Sequence, residues 1–273
     1  MEKYRLLREI GRGGTSKVYL GVERKTGRKY AIKIYEDKGA FERACGEHSI
    51  LQMLHFPAIP EFKENLYKEG KGFIVMEYVP GITLKERIQR EGMLAEDQVA
   101  EWSIKICEVL SYLHGRTPPV IYRDLKPANI ILSPSSGIKL IDFGAAAPCI
   151  KRISDQKNLP GAEPIGTIGY AAPEQADREG RIDTRADVYA LGATMHHMLT
   201  GIPPYKNPGQ FEPVRTYNKK ISARMEEIVC KCLEKIPDKR YRFCEEIKRD
   251  LKVTDSKRKK QGRLYDFRSE ILY

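Results

Sequence analysis

Over the first 80 residues apolar and polar positions alternate. "KYRLLREI" (3–10), "SKVYLGVE" (16–23) and "KYAIKIY" (29–35) place β-branched, aromatic or aliphatic residues at a period near two, the signature of strands. A helical stretch is predicted from about Gly39 to His55, and "GFIVMEYV" (72–79) returns to strand character. After Pro80-Gly81 the period lengthens. Thr83 and Glu86 form a T-x-x-E capping box at "LKERIQRE", and Val99, Trp102, Ile106, Val109 and Leu113 mark one face of the next helix. The pattern predicts an α+β fold with a β-rich first lobe at 1–79, a mainly helical second lobe at 80–252 and a basic tail at 253–273. The longest stretch without a period, 145–166, is long enough for a functional loop.

Composition narrows the classes. The chain has 273 residues, enough for one large domain or two lobes. No apolar run approaches the roughly 20 residues of a membrane helix, and the N-terminus lacks the apolar core of a signal peptide, so a cytoplasmic setting is expected. A native chain that continued further would leave room for membrane association. The formal charge of +11 favours acidic partners, and its densest cluster is "SKRKKQGR" (256–263). Six cysteines are scattered; Cys230 and Cys232, two apart in a helical pattern, point to different faces and cannot share one metal ion.

The candidate chemistry begins at "IGRGGTSKVYLG" (10–21). A dinucleotide-binding turn would open a helix here, but Val18, Leu20 and Val22 alternate as a strand does. No G-K-[ST] follows, which excludes a Walker loop. A glycine loop joining two strands suits phosphate binding with a lysine on the next strand, and Lys33 stands there among Ala31, Ile32 and Ile34. A cation so placed needs a partner. Glu47 shares a helix face with Ala44, Leu51 and Leu54 and is the expected one. Further on, "VIYRDLKPANIIL" sets Asp124, Lys126 and Asn129 in a short loop, and "IKLIDFG" ends an apolar run at Asp142; such hard oxygen donors suit a magnesium-phosphate site.

In this order the motifs resemble those of a protein kinase, from about Tyr4 to Leu251, and most closely the bacterial Hanks-type branch of serine/threonine kinases. The resemblance implies a bilobal fold and ATP with Mg²⁺ or Mn²⁺ as cofactors. It implies that Ile10, Gly11, Arg12, Gly13, Gly14, Thr15, Ser16, Lys17 and Val18 cover the nucleotide, with Ala31, the gatekeeper Met76, and the hinge of Glu77 to Val79 at the base. Lys33, paired to Glu47, would bind the α and β phosphates; Asp124 would take the hydroxyl proton; Lys126 would steady the transferring group. Asn129 and Asp142 would hold the metal. Lys126 and Thr167 point to Ser/Thr acceptors on protein substrates, with autophosphorylation. Asp187 resembles a brace of the catalytic loop, and Arg240 the partner of Glu174 in "AAPE". Tyr122 replaces the usual histidine before Arg123-Asp124, and Ser16 stands at the third glycine of the loop. Arg123 suggests control by a phosphate on Ser154 or Thr167. A pseudokinase is disfavoured because the reactive set is complete. A homodimer, and contact of the basic tail with anionic lipid or nucleic acid, are further partner expectations.

Overall fold

The computed structural model describes residues 2–149, 166–176, 182–206 and 208–253. The side chains of 43 and 46–48 are outside this set, as are Ser154 and all but one residue of the basic tail. Two compact units emerge: Met1–Thr83 with Ile130–Ala147, and Leu84–Asn129 with Pro148–Tyr273.

The first unit is built on an antiparallel sheet in the order β1-β2-β3-β5-β4. Its strands are β1 (Tyr4–Arg12), β2 (Ser16–Glu23), β3 (Lys29–Tyr35), β4 (Phe62–Lys68) and β5 (Lys71–Glu77). The alternation of β3 explains its two faces. Tyr30, Ile32 and Ile34 pack with Tyr4, Phe73 and Val75, whereas Tyr35 joins Ala40, Phe41, Ala44 and Ile74 beneath a helix. That helix, α1 (Lys38–Gln52), starts at Asp37, whose carboxylate accepts the Ala40 N–H at 2.7 Å. It ends three residues before the predicted His55, at a cap on Met53. Strands β8 (Ile130–Ser133) and β9 (Gly137–Leu140) complete the unit, with β6 (Ile82–Thr83) paired to β8.

The second unit is mainly helical, apart from a short strand, β7 (Val120–Ile121). Helix α2 (Leu84–Glu91) begins directly after Thr83, and α3 (Glu96–His114) buries Val99, Ile106, Val109 and Leu113 as its periodicity predicts. At its centre lies α5 (Arg185–Thr200), in which every residue from Ala186 to Thr200 is buried. Its polar members, among them Asp187, Thr194 and His197, are buried with the apolar ones, so the helix lies within the core. It stops at Gly201, whose φ of 68° closes the end left-handed while its N–H donates to the His197 carbonyl. After short α4 (Pro173–Ala176), helices α6 (Val214–Tyr217) and α7 (Ala223–Cys232) pack on α5 together with α3, and a final helix, α8, follows at 244–253.

Candidate active site

Within the first unit, the sheet register gathers the predicted nucleotide-contacting residues on one face. Val18 lies opposite Lys33, Leu20 opposite Ala31, and Ala31 in turn opposite Met76. Residues opposite or two apart share a face, so Val18, Ala31, Lys33 and Met76 line one side of the sheet. At the hairpin tip the Gly13 N–H donates to the Ser16 carbonyl at 2.8 Å. The three loop glycines have no demand from the protein itself. A Cβ on Gly14 would meet nothing within 4 Å, and on Gly11 and Gly13 only atoms at 3.5 Å or beyond. By contrast, a Cβ on Gly21 would run into Ile32. A row of glycines whose side-chain space is open fits close approach of a ligand to the loop backbone.

Lys33 donates to Asp142 Oδ1 at 2.9 Å. Burial works against its charge, but the nearby carboxylate outweighs this and holds the ammonium above its ordinary range. Its expected partner Glu47 is in α1, with its side chain outside the described residues. Asp142 sits at φ 62°, a left-handed conformation that an aspartate tolerates better than most residues, directly before the buried Phe143. Glu77, read from the sequence for its backbone, has its carboxylate held by Lys139 on β9. Lys139 could have been found by the reasoning applied to Lys33: a cation in the apolar run "IKLI" needs a carboxylate.

In the second unit the centre is Asp124. Thr167 donates to its Oδ1 at 2.6 Å, and Lys126 to its Oδ2 at 2.7 Å. Lys126 also donates to the Thr167 hydroxyl at 2.5 Å, closing a triangle. The 3₁₀ turn at Pro127–Asn129 swings Asn129 back so that its amide nitrogen lies 2.9 Å from both Oδ2 and the carbonyl of Asp124. With the NH₂ committed, the Asn129 side-chain oxygen is the atom left to act as an acceptor or ligand. Leu125 and Pro127 are buried while Asp124 and Lys126 are partly exposed, so alternate residues anchor and present this loop.

Behind the loop lies Asp187, which is fully buried. It accepts the N–H groups of Tyr122 at 2.9 Å and Arg123 at 2.8 Å, and a third contact from His114 Nε2 at 2.8 Å. These bonds hold Arg123 at φ 68°, an uncommon conformation for a bulky residue. Tyr122 is wholly buried and fills the core position as an aromatic ring. Gln175 adds a tie invisible in the sequence, accepting from Ala172 N and donating to the Arg123 carbonyl, both at 3.0 Å. The Arg240 guanidinium spends all five N–H groups: two on the carboxylate of Glu174 at 2.6 and 2.8 Å, the others on the carbonyls of Glu234, Arg185 and Lys235.

No sequence motif marks His114, whose partner Asp187 lies 73 residues away. Burial opposes its protonation, but the bond to Asp187 prevails, with help from Cys244, and pushes it up to about 10. A folded-state value above that of the unfolded chain stabilises fully below about pH 6.5 and is lost as pH rises toward 10. The thermal midpoint should therefore decline across that interval, and His114→Gln should flatten the decline; an unchanged slope would overturn this assignment.

A family model described as the protein kinase domain matches residues 4–251. The chain belongs to this family. Among similar bacterial proteins, serine/threonine-protein kinase PknB of Mycobacterium tuberculosis is 32% identical over 272 residues, covering 92% of this chain and 42% of that protein. A probable serine/threonine-protein kinase of Streptomyces coelicolor is 31% identical over 275 residues, covering 92% of this chain and 40% of its own length. A probable PknB of Lactococcus lactis is 30% identical over 272 residues, with 93% and 42% covered. This kinase-family chain thus spans about two fifths of the length of these relatives. Among the described residues no helix is long and apolar enough to cross a membrane.

Proposed function

We propose that this chain is a serine/threonine protein kinase that transfers the γ-phosphoryl group of ATP to protein hydroxyls. The observation that carries the reading is the triangle of Asp124, Lys126 and Thr167. The Asp124 carboxylate is aimed by three donors, Thr167, Lys126 and Asn129, and takes the proton of the substrate hydroxyl as the hydroxyl oxygen bonds to phosphorus and ADP departs. Lys126 then has a second task, neutralising charge on the transferring group. Lys33 holds the α and β phosphates, the open glycines admit them, and the backbone of 77–79 takes adenine.

The metal is proposed to be Mg²⁺. In the first unit Asp142 offers a carboxylate, and in the second Asn129 offers its side-chain amide oxygen. That set fits a cation bound by one or two protein ligands together with substrate phosphates. When bound it would neutralise charge on the β and γ phosphates. Protein substrates and a cytoplasmic setting belong to the same proposal.

Of the two hydroxyls suggested for regulation, Thr167 is engaged with both Asp124 and Lys126. A phosphate there would set a dianion against the base, so Thr167 serves in the site. The test is transfer of labelled γ-phosphate to a generic protein substrate with every phosphosite mapped; no transfer under any divalent cation would refute the reading.

Ser16 is compatible with it, since the turn uses its carbonyl rather than its hydroxyl. Ser16→Gly should leave the turnover rate nearly unchanged and raise the apparent KM for ATP about two- to fivefold, the effect of about 0.5–1 kcal/mol of added backbone freedom. Loss of transfer would show that the hydroxyl participates.

A further inference from the structure

Lys139 lies three residues before Asp142 on β9, between the buried Ile138 and Leu140. Its side chain is only 7% exposed, and its Nζ is 2.6 Å from both carboxylate oxygens of Glu77. Glu77 is fastened from a second direction. Its Oε2 accepts the Glu61 N–H at 3.1 Å, and its own N–H donates to the Glu61 carbonyl at 2.8 Å. The stretch before Glu61 is tied to β9 as well, through Leu140 N–H to the Ala58 carbonyl at 2.9 Å. The last residue of β5 is therefore clamped by its side chain and its amide at once.

A buried ion pair is weak evidence for stability, because desolvation offsets most of its attraction. It does fix geometry. A two-oxygen clamp on Glu77, with its amide already committed, limits rotation of the peptide that follows and so sets where the Glu77 carbonyl points. Adenine presents an amino donor at the purine 6-position, whereas guanine presents an oxygen acceptor. A carbonyl fixed in direction accepts from the first and is left unpaired against the second.

We propose that Lys139 is a positioning residue for purine recognition: by clamping the Glu77 carboxylate it orients the Glu77 carbonyl and thereby favours ATP over GTP. The proposal rests on the kinase reading of 77–79 as the adenine-contacting segment. It accounts for a charge where an apolar residue would fill the same space.

The experiment compares wild type, Lys139→Met and Lys139→Arg, with ATP and GTP each as phosphate donor and with both dissociation constants measured directly. Lys139→Met should raise the KM for ATP about tenfold, lower kcat by less than about threefold, and shrink the ATP preference by a similar tenfold, the loss of one fixed hydrogen bond. Lys139→Arg should recover most of the preference. A merely structural role would instead lower the thermal midpoint and kcat together. Should Lys139→Met not fold, the uncharged pair Glu77→Gln with Lys139→Met carries the same expectation. A folded variant with wild-type KM and preference overturns the proposal, as does one whose kcat rises at unchanged preference. A wild type that binds ATP over GTP but transfers nothing would sink the kinase reading alone, and the binding comparison would still judge Lys139.

Discussion

Asp124→Asn is expected to slow phosphate transfer by about 10²- to 10⁴-fold, the contribution of a positioned general base, with little change in thermal midpoint. The separation follows from the geometry. Asparagine keeps the shape of the side chain, and its oxygen can still accept from Lys126 and Asn129, which lie 2.7 and 2.9 Å from Oδ2. Its amide would then face the Thr167 hydroxyl, which can turn from donor to acceptor. The loop keeps its bonds while the proton acceptor is gone. Steady-state rates beside a thermal melt decide the matter. Equal rates for the two proteins would remove Asp124 from the chemistry, and a joint collapse of rate and midpoint would make it a structural residue.

Arg240→Ala is expected to destabilise the second unit by about 3–5 kcal/mol, the cost of breaking a buried ion pair by deleting one partner. The guanidinium side chain is inaccessible to water, and Glu174 is only 12% exposed. Deletion strands that carboxylate and three carbonyl groups together. Lysine should rescue little, because a point charge with three donors cannot reproduce a planar fork that satisfies five bonds. A midpoint lowered by on the order of 10 °C is the corresponding thermal signal. Chemical unfolding of Arg240→Ala and Arg240→Lys checks both statements, and a loss under about 1 kcal/mol would show that solvent or a neighbouring cation replaces the arginine.

The sequence was most legible where local pattern and local structure coincide. The bounds of β2 and β3 match the alternating runs because each run is flanked by turn residues, and β3 buries Tyr30, Ile32 and Ile34 on one face. Strand β4 passed unread. It lies at the sheet edge, and its inward residues Phe62, Glu64 and Leu66 are only half-buried, so one of them is charged and the period is lost. Helix α1 stops short of the predicted His55 although the buried Leu54 continues the apolar spacing beyond the cap. The triangle at Asp124 draws on the motifs "DLKPAN" and "GTIGY", and Thr167 is 43 positions from Asp124. His114 and Gln175 carry no motif, since their partners are 73 and 52 residues away; Lys139 is marked only by its apolar flanks, and its partner is 62 residues away. The place of Asp142 after a strand predicts a metal ligand, whereas its bond to Lys33, across 109 residues, has no local signal.

The first unit is assembled from two stretches, Met1–Thr83 and Ile130–Ala147. This sets an order of events during synthesis. All five strands of the sheet have been synthesised by Glu77, whereas Lys139 and Asp142 follow only after Leu84–Asn129. A sheet that forms before β9 is made does so without Lys139 at Glu77 and without Asp142 at Lys33, and the second stretch adds both ion pairs afterwards.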